Sequence, residues 1–591
     1  MRIMKMATAV RAVTVPLRVL APSCGRTPNC SPFCTLNPWT VGPSLSLHHT
    51  GGNEKFRLLS TSAVRSAVLQ SPHPEIHVPD ASFAEHMMRD WEKYSNNVAL
   101  VDGATGETVS YSMLKDRVIR CASALTRMGF KKGDVLALYA HNVPDYATVF
   151  IAVGVLGGTV TALNPLYTID ELSTQLKRSS SSILVVAPSS VKNAIAAKSQ
   201  CPNVKEVIVF GNVDGIRPFT NLLEDDGHAF PENVDINVDE DVLALPYSSG
   251  TTGLPKGVML THKNIVANVE QLRHHGVMGY VPLSDCLVGV LPFFHIYGQV
   301  VTLFTGLAAG VKIVTMPKFT LDDYLHIVHR HRATSLHVVP PIALRMAKYP
   351  DIHKFDLSSV RQVFSAAAPL SDTLSEEFST VTGLSDIKQC YGLTETSPVT
   401  HCCPPRSWKS GSIGVPVPNT KHKIVDIESN TPQGPMQEGE LCVQGPQVMK
   451  GYANNPEATA ECIKDGWFHT GDIGYLDADG HVFISDRLKE LIKFKGFQVP
   501  PAELEAVILT NPAVLDVAVI GVDDEEAGEL PKAFVVVKPH AQLLEIELQD
   551  YVKTKVAPYK RLRGGVEFVQ EIPKTPTGKI LRRMLKNRDQ K

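Results

Sequence analysis

Strand-like and helix-period segments alternate from about Ser110 onward, and this alternation constrains the fold more than any other feature of the chain. One helical face begins the series and comprises Leu114, Val118, Ile119, Ala122 and Leu125. The segments DVLALYA, TVTAL and ILVVA then follow as buried strands, with the helical AVGVLG between the first two. Repeated strand, helix and strand predict an α/β fold built on parallel pairing.

The sequence changes character near Asp486. Beyond it, Pro500 and Pro501 open a predicted helix, VLDVAVIGV and AFVVV read as strands, LLEIELQDYVKTK as a helix and GVEFV as a last strand. We therefore predict a large multi-subdomain N-terminal region with mixed sheets, residues 67–485, and a small mobile α+β domain, residues 490–591. Two globular parts joined at one point predict a cleft between them.

Residues 1–66 differ in charge from the rest of the chain. They carry eight basic side chains and one acidic one, Glu54, whereas the remainder carries 50 basic and 59 acidic residues, a net charge of −9. Such an acidic body disfavours nucleic acid as a partner. No uncharged apolar run reaches the roughly 18 residues of a membrane span, so no transmembrane segment is expected.

The same 66 residues are rich in Arg, Ser and Pro, a composition typical of mitochondrial transit peptides. Arg11 and Arg18 interrupt the only apolar run that a secretory signal could use. The stretch RLLSTSAVRS resembles a presequence cleavage signal and places the cut near Ser66. We predict the mitochondrial matrix, and the 11 scattered cysteines fit its reducing environment. The alternative is an N-terminal arm that stays attached.

The stretch YSSGTTGLPKGVMLTH follows the apolar run VLALPY, which should be a buried strand. Closely spaced glycines let backbone N–H groups surround phosphate oxygens, while hydroxyl groups and a lysine add further donors. The glycine spacing and the Gly that follows Lys256 differ from a Walker A loop. The pattern therefore predicts a phosphate-binding loop of another class.

YSSGTTGLPKG resembles the phosphate-binding signature of the adenylate-forming superfamily, which includes acyl-CoA synthetases, 4-coumarate–CoA ligases, firefly-type luciferases and peptide-synthetase adenylation domains. Further motifs, QCYGLTETS, HTGDIG, DRLKELIKFKGFQVPPAELE and PKTPTGKILR, follow in the family's order. The resemblance implies that a carboxylate attacks the α-phosphate of ATP to give an acyl-adenylate and pyrophosphate. A thiol then displaces AMP. The resemblance implies ATP and coenzyme A as co-substrates and Mg²⁺ as the metal cofactor.

The resemblance also assigns roles in nucleotide binding. Tyr391 would lie near the adenine, Thr394 at the α-phosphate, Asp472 and Arg487 at the ribose, and Glu395 on Mg²⁺ as a hard oxygen ligand. The remaining ATP contacts would come from the loop and its lysine, namely Ser248, Ser249, Gly250, Thr251, Thr252, Gly253 and Lys256.

Two lysines are implied to serve successive half-reactions. Lys579 would reach between the acid and the α-phosphate during adenylation, where its charge offsets developing negative charge. Lys493 and Gln498 would serve AMP and thioester formation. Lys579 and Lys493 cannot share the site, so the small domain would rotate about a hinge at residues 486–489 with Lys489 as pivot. CoA would contact Lys495, Gly496 and Phe497.

The acid pocket is implied by PFFHIYG and SAAAPL, with His295 beside the carboxylate and Tyr297, Ala366 and Cys390 as lining. Cys390 stands where 4-coumarate–CoA ligases usually have glycine, and Val301 replaces a small polar residue. Both changes make the pocket smaller or more apolar. This favours short- or medium-chain aliphatic acids, or compact aryl acids, over hydroxycinnamates.

The sequence thus predicts a mitochondrial, ATP-dependent carboxylic acid–CoA ligase that forms AMP. A luciferase-like oxygenase would share adenylation but would not need the implied CoA face. A carrier-protein-directed enzyme is disfavoured because the chain has no fused carrier domain. A non-catalytic nucleotide-binding relative is disfavoured because Lys256, Glu395, Asp472, Arg487 and Lys579 are all present.

We predict that residues 1–66 fused to a fluorescent reporter direct it into the mitochondrial matrix, because their basic, acid-poor composition suits the import machinery. Microscopy with a matrix marker, and the reporter's size after import, would measure targeting and cleavage. A reporter that stays in the cytosol would contradict the localisation.

Overall fold

The computed structural model describes residues 68–248, 255–384, 387–404, 408–495, 497–524, 526–575 and 578–589. The predicted transit segment, residues 1–66, lies outside this part of the chain. Several predicted site residues also lie outside it, namely Gly496, the side chain of Gln498, and Ser249, Gly250, Thr251, Thr252 and Gly253 of the phosphate loop.

The helices of the described residues are α1 (Phe83–Met88), α2 (Tyr111–Arg127), α3 (Asp145–Val155), α4 (Ile169–Ser179), α5 (Val191–Ser199), α6 (Thr220–Leu223), α7 (His262–Arg273), α8 (Thr305–Ala308), α9 (Leu321–His331), α10 (Pro340–Ala347), α11 (Asp372–Thr382), α12 (Pro456–Cys462), α13 (Pro501–Leu509), α14 (Glu545–Lys553) and α15 (Arg582–Asp589). A π-helix, Tyr297–Phe304, leads directly into α8. None of the helices in this part of the chain has the length and apolarity needed to span a bilayer.

The strands are β1 (Leu69–Gln70), β2 (Val98–Asp102), β3 (Thr108–Ser110), β4 (Val135–Tyr139), β5 (Thr159–Ala162), β6 (Ile183–Val186), β7 (Glu206–Val209), β8 (Arg217–Pro218), β9 (Val242–Ala244), β10 (Tyr247–Ser248), β11 (Lys256–Thr261), β12 (Cys286–Gly289), β13 (Lys312–Thr315), β14 (Ser335–Val338), β15 (Gln362–Ser365), β16 (Ile387–Gly392), β17 (Val399–Cys402), β18 (Val415–Pro416), β19 (Lys421–Val425), β20 (Gly439–Gln444), β21 (Gly451–Tyr452), β22 (Ile463–Lys464), β23 (Trp467–Leu476), β24 (Val482–Arg487), β25 (Ile492–Phe494), β26 (Phe497–Val499), β27 (Val514–Asp524), β28 (Gly528–Val537) and β29 (Val566–Phe568).

The predicted parallel pairing is confirmed in the first large sheet, which has the order β10-β11-β9-β5-β4-β6-β7-β8. Strands β4, β5 and β6 are the predicted apolar segments, and β4 pairs in parallel with both of the others. The predicted amphipathic helix is α2, whose Leu114, Val118, Ala122 and Leu125 are buried. At one edge β10 and β11 pair antiparallel, so the two flanks of the phosphate loop lie side by side.

The second large sheet has the order β18-β17-β16-β15-β14-β12-β13-β2-β3. Its central strands, β16, β15, β14, β12, β13 and β2, are parallel neighbours. Strands β17 and β18 add to it in antiparallel fashion. The carboxyl ends of parallel strands lie at the same edge of a sheet. The segments that follow β15 and β16 therefore begin next to each other, where their residues can contribute to one site.

A third sheet, β1-β19-β20-β23-β22 with β24 beside β23, is antiparallel throughout. It contains the predicted hairpin at Asp-Ala-Asp-Gly, in which Leu476 of β23 faces Val482 of β24. Strand β24 continues to Arg487, so the predicted hinge at 486–489 overlaps its last two residues. Lys489, the predicted pivot, is exposed between β24 and β25.

The C-terminal domain has its own sheet, β26-β25-β28-β27 with β29 on β28, and its own apolar core. Helix α13 packs Leu504 and Ile508 inward, as predicted. Arg582, at the start of α15, donates to Glu490 Oε2 at 2.8 Å, to the carbonyl of Val519 at 2.8 Å and to both carboxylate oxygens of Glu505. This guanidinium therefore joins α15, α13 and β27 to the segment that precedes β25.

Replacing Arg582 with Met should lower the free energy of unfolding of the C-terminal domain by about 3 kcal/mol, since it leaves two largely buried carboxylates unpaired. Denaturant unfolding of the full chain, with limited proteolysis to report the C-terminal domain, would measure the change. The control is Arg583→Met, because Arg583 is the next residue of the same helix and is exposed. Equal unfolding midpoints for the two variants would contradict the role given to Arg582.

Candidate active site

The ends of the phosphate loop are held against a buried carboxylate. Ser248 Oγ and the Tyr452 hydroxyl each donate to Glu395 Oε1, both at 2.9 Å. Lys256 Nζ lies 4.9 Å from the centre of the Tyr452 ring. Three predicted residues, Ser248, Lys256 and Glu395, are therefore brought together by one tyrosine that the sequence reasoning missed.

Tyr452 reaches this position through long-range strand pairing, because β21 pairs with β11 and sets Tyr452 opposite Val258. Nothing in the local sequence around GYANN indicates that contact. Burial, and after it the carboxylate of Glu395, raises the pKa of Tyr452 well above its usual value. The phenol therefore remains a neutral hydrogen-bond donor.

Glu395 fits the predicted role of a magnesium ligand. It is 8% exposed and lies in a short 3₁₀ turn, Thr394–Thr396, with the predicted α-phosphate residue Thr394 as its half-buried neighbour. Among the described residues both hydrogen bonds to the carboxylate reach Oε1. Its hard oxygen donors are those that Mg²⁺ prefers, and the bound ion would neutralise phosphate charge.

Asp472 is the second carboxylate of the site and is 3% exposed. The Tyr391 hydroxyl donates to its Oδ2 at 2.5 Å, and Arg487 Nε lies 3.0 Å from its Oδ1. The pairing of β23 with β24 produces this arrangement, because Asp472 and Arg487 are register partners. Each carboxylate oxygen keeps a further lone pair, so Asp472 can still accept bonds from a ribose diol.

The electrostatics of this group reflect the same contacts. The Asp472 carboxylate raises the pKa of Arg487 against the opposing effect of burial. Burial, with Asp472 as the next cause, raises the pKa of Tyr391 well above its usual value. The cluster therefore holds a permanent cation, an anion and a neutral phenol near the predicted adenine and ribose positions.

Glu440 is a second residue that the sequence reasoning missed. Its Oε1 accepts from the backbone N–H of Gly471 at 2.9 Å, and its Oε2 lies 2.7 Å from His469 Nδ1. Both contacts fix the segment that leads into Asp472. In the described part of the chain, the His, Cys and carboxylate groups close enough to share a metal ion are Glu440, Cys442 and His469. Because Glu440 already binds His469 and the backbone of Gly471, we interpret this cluster as a structural support for the segment before Asp472 and not as a metal site.

Lys579 belongs to the C-terminal domain and directly precedes Ile580, which forms an isolated antiparallel bridge with Lys574. Its carbonyl accepts from Thr575 N at 2.8 Å, and its own N–H donates to Thr575 Oγ1 at 3.1 Å. Partial burial, and next the Arg487 guanidinium, lower the pKa of Lys579, while the carboxylates of Glu490, Asp472 and Glu395 oppose the change. The ammonium group is therefore within electrostatic range of both Asp472 and Glu395.

His295 is within electrostatic range of this lysine. Burial, and after it the charge of Lys579, lower the pKa of His295 to about 4, so the imidazole is neutral at pH 7. His295 Nδ1 accepts from Tyr297 N at 3.2 Å, at the start of the π-helix. The acid-side histidine and the adenylation lysine lie far apart in the sequence, but the charge of Lys579 reaches His295 in the folded protein.

Tyr297, the next predicted acid-pocket residue, is buried and donates to the carbonyl of Phe364 in β15 at 3.4 Å. Ala366 is half-buried just beyond β15, and the next residue, Ala367, has a φ of +73°, which is strained for alanine. Cys390 is buried in β16. The predicted strand-to-loop segment SAAAPL is confirmed at the end of β15.

The predicted CoA-side residues occupy a different surface. Lys493 is exposed on β25, and Lys495 Nζ lies 2.6 Å from Glu526 Oε1. Phe497 is 54% exposed and stacks on Tyr559 with ring centres 4.7 Å apart. Of the two lysines that the sequence assigns to successive half-reactions, Lys579 is the one within electrostatic range of Asp472 and Glu395.

Comparison with known proteins shows the family of the chain. Residues 87–453 match the family model of the AMP-binding enzymes, and residues 503–579 match that of the AMP-binding enzyme C-terminal domain. The chain belongs to the AMP-binding enzyme family. The predicted adenylate-forming superfamily and its α/β fold, with a small C-terminal domain, are thereby confirmed.

Individual relatives align over nearly their whole length. 4-Coumarate–CoA ligase 1 of Petroselinum crispum is 41% identical over 532 residues, which cover 88% of this chain and 96% of that protein. The crystal structure of ATP-bound MatB from Rhodopseudomonas palustris is 30% identical with a TM-score of 0.79 and covers 85% of this chain and 98% of its own. The anthranilate CoA ligase AuaEII, in complex with anthranoyl-AMP, is 26% identical with a TM-score of 0.79, over 87% and 98% of the two chains.

Gly578 tests how Lys579 is positioned. Its φ is +85°, and a Cβ there would lie 2.7 Å from Pro341 Cγ of α10. Gly578→Ala should therefore displace the turn and lower the rate of acid-dependent ATP–pyrophosphate exchange by roughly ten- to a hundredfold.

The matched control for this variant is Gly383→Ala. Gly383 also has a positive φ, +71°, but a Cβ there would meet nothing within 4 Å. The control should carry the backbone strain alone and keep its exchange rate. Equal rates for the two variants would show that close contact with Pro341 does not position Lys579.

Proposed function

We propose that this protein is a mitochondrial ligase that joins a short- or medium-chain aliphatic acid, or a compact aryl acid, to coenzyme A. Its enzyme class is that of an AMP-forming acid–CoA ligase, with ATP, a carboxylic acid and CoA as substrates and Mg²⁺ as the metal. The observation that carries the proposal is that Lys579 of the C-terminal domain is within electrostatic range of Glu395, Asp472 and His295, which belong to the large region.

In the first half-reaction the acid carboxylate attacks the α-phosphate, which brings two anions together. Lys579 would lie where their charges meet, and the lysine, being preorganised, would stabilise the transition state more than the separate reactants. Because His295 is neutral, it could lie beside the acid carboxylate without adding a second positive charge next to Lys579. Asp472 and Arg487 would hold the ribose, and Tyr391 would lie beside the adenine.

The second half-reaction needs the other face of the C-terminal domain. The exposed Lys493, on the β25–β26 hairpin, lies with Lys495 and Phe497 on the predicted CoA side. Rotation about the segment around Lys489 would withdraw Lys579 and present this hairpin to the acyl-adenylate. Exposure of the hairpin while Lys579 is in place supports the proposed alternation.

The proposed acid class rests on the groups that surround Tyr297. The Tyr280 hydroxyl lies 2.7 Å from His337 Nε2, and Thr302 Oγ1 lies 2.8 Å from His337 Nδ1. These buried polar groups satisfy one another, and burial lowers the pKa of His337 to about 3, so the ring is neutral. A phenolic substrate would have to break this network to be hydrogen-bonded, whereas an apolar tail would leave it intact.

A panel of acids tests the class directly. We expect the protein lacking residues 1–66 to release AMP only with both an acid and CoA. Hexanoate, octanoate or benzoate should exceed 4-coumarate in kcat/KM by about tenfold or more, because burying an unpaired hydroxyl costs about 1–3 kcal/mol. A preference for 4-coumarate would contradict the acid class, and AMP release that is indifferent to CoA would contradict CoA as the acceptor.

A further inference from the structure

Two cysteines face each other across neighbouring strands of the second large sheet. Cys390 of β16 and Cys402 of β17 are antiparallel register partners. Cys403 N donates to the carbonyl of Gln389 at 3.0 Å, which makes Cys390 and Cys402 a non-hydrogen-bonded pair. The Cα atoms of such a pair lie about 4.5 Å apart with their side chains close together, within the roughly 4.4–6.8 Å that disulfides span. The two Sγ atoms are 2.6 Å apart.

The pair is buried, and its member Cys390 directly precedes Tyr391 in β16. Both side chains are buried, at 5% exposure for Cys390 and 2% for Cys402. Burial, and after it the Cys390 and Cys402 thiols among other groups, raise the pKa of Tyr297, a predicted acid-pocket residue. The residue after Cys390 is Tyr391, whose hydroxyl binds Asp472. A covalent change at Cys390 would therefore alter the wall of the acid pocket and the position of Tyr391 together.

We propose that Cys390 and Cys402 form an oxidisable dithiol, a modification site at which disulfide formation lowers ligase activity. The effect on activity rests on the acid pocket proposed above. The bond itself rests only on the strand register and on the contact between the two sulfur atoms.

The oxidant would be hydrogen peroxide. One thiol, as its thiolate, attacks a peroxide oxygen, so that the O–O bond breaks, water leaves and a sulfenic acid forms. The second sulfur then attacks that sulfur, forms the S–S bond and releases a second water. The two thiols lose two electrons and two protons in all, and one hydrogen peroxide becomes two waters.

Burial lowers the thiolate fraction and so slows oxidation at rest, and the paired geometry distinguishes Cys390 and Cys402 from the next cysteine. Burial raises the pKa of the Cys390 thiol well above its usual value, so the thiol is protonated near neutral pH. Cys403 Sγ instead contacts the carbonyl of Ser412 at 3.2 Å. Cys403 is therefore a nearby thiol without the paired geometry.

The experiment exposes the protein to hydrogen peroxide and then reads disulfides by peptide mass spectrometry. Acid-dependent AMP release is measured on the same samples before and after reduction with dithiothreitol. The variants are Cys402→Ser, which removes the partner, and Cys403→Ser, the matched control. We expect a Cys390–Cys402 peptide in the wild type and in Cys403→Ser, with a reversible activity loss of about tenfold, as small displacements of pocket atoms produce. Cys402→Ser should show neither the disulfide-linked peptide nor the reversible loss of activity.

Disulfides that exclude Cys390 and Cys402, or no disulfide at all, would overturn the proposal. Equal activity of the oxidised and reduced wild type would overturn its regulatory part, as would an equal, reversible loss in Cys402→Ser. The disulfide is read by mass and needs no substrate. A protein that forms the bond but ligates no acid would therefore contradict the proposed function and not the dithiol.

Discussion

The site depends on two carboxylates, Asp472 and Glu395, that are withdrawn from water and must be compensated by the fold. Asp472 is matched by Arg487 and Tyr391, and Glu395 by Ser248 and Tyr452. Removing an ion from water costs several kcal/mol unless hydrogen bonds and opposite charge replace the solvent. Each compensating group comes from a different strand, so assembling the sheets is also what assembles the site.

Compensation is incomplete without the C-terminal domain. Lys579 adds a positive charge near both carboxylates, and the close approach of Gly578 to Pro341 brings it there. The domain is internally held by Arg582 and joined to the large region by the segment after β24. Movement of this domain would therefore change the charge of the site, which links domain rotation to the change from adenylation to thioester formation.

Much of this architecture could be predicted from local sequence. The apolar segments β4, β5 and β6 and the helix α2 follow from periodicity, and the hairpin between β23 and β24 from its Asp-Ala-Asp-Gly turn. The motifs placed Glu395, Asp472 and Lys579 in one site through resemblance, and the structure brings these residues together. Their individual roles remain predictions.

The residues that were missed share one property, which is that long-range strand pairing places them. Tyr452 approaches Glu395 because β21 joins β11, and Cys402 meets Cys390 because β17 joins β16. Glu440 supports the turn before Asp472 because β20 pairs with β23. Register between distant strands is fixed by the packing of the whole sheet and leaves no local sequence signal.

The central claim is that Lys579 serves adenylation and not thioester formation, and the most direct test separates the two half-reactions. In Lys579→Ala, acid-dependent ATP–pyrophosphate exchange should fall about a hundredfold or more, since a charge aimed at the transition state is lost. Formation of acyl-CoA from a supplied acyl-adenylate and CoA should stay near the wild-type rate. Loss of both half-reactions to the same extent, or of neither, would contradict the account.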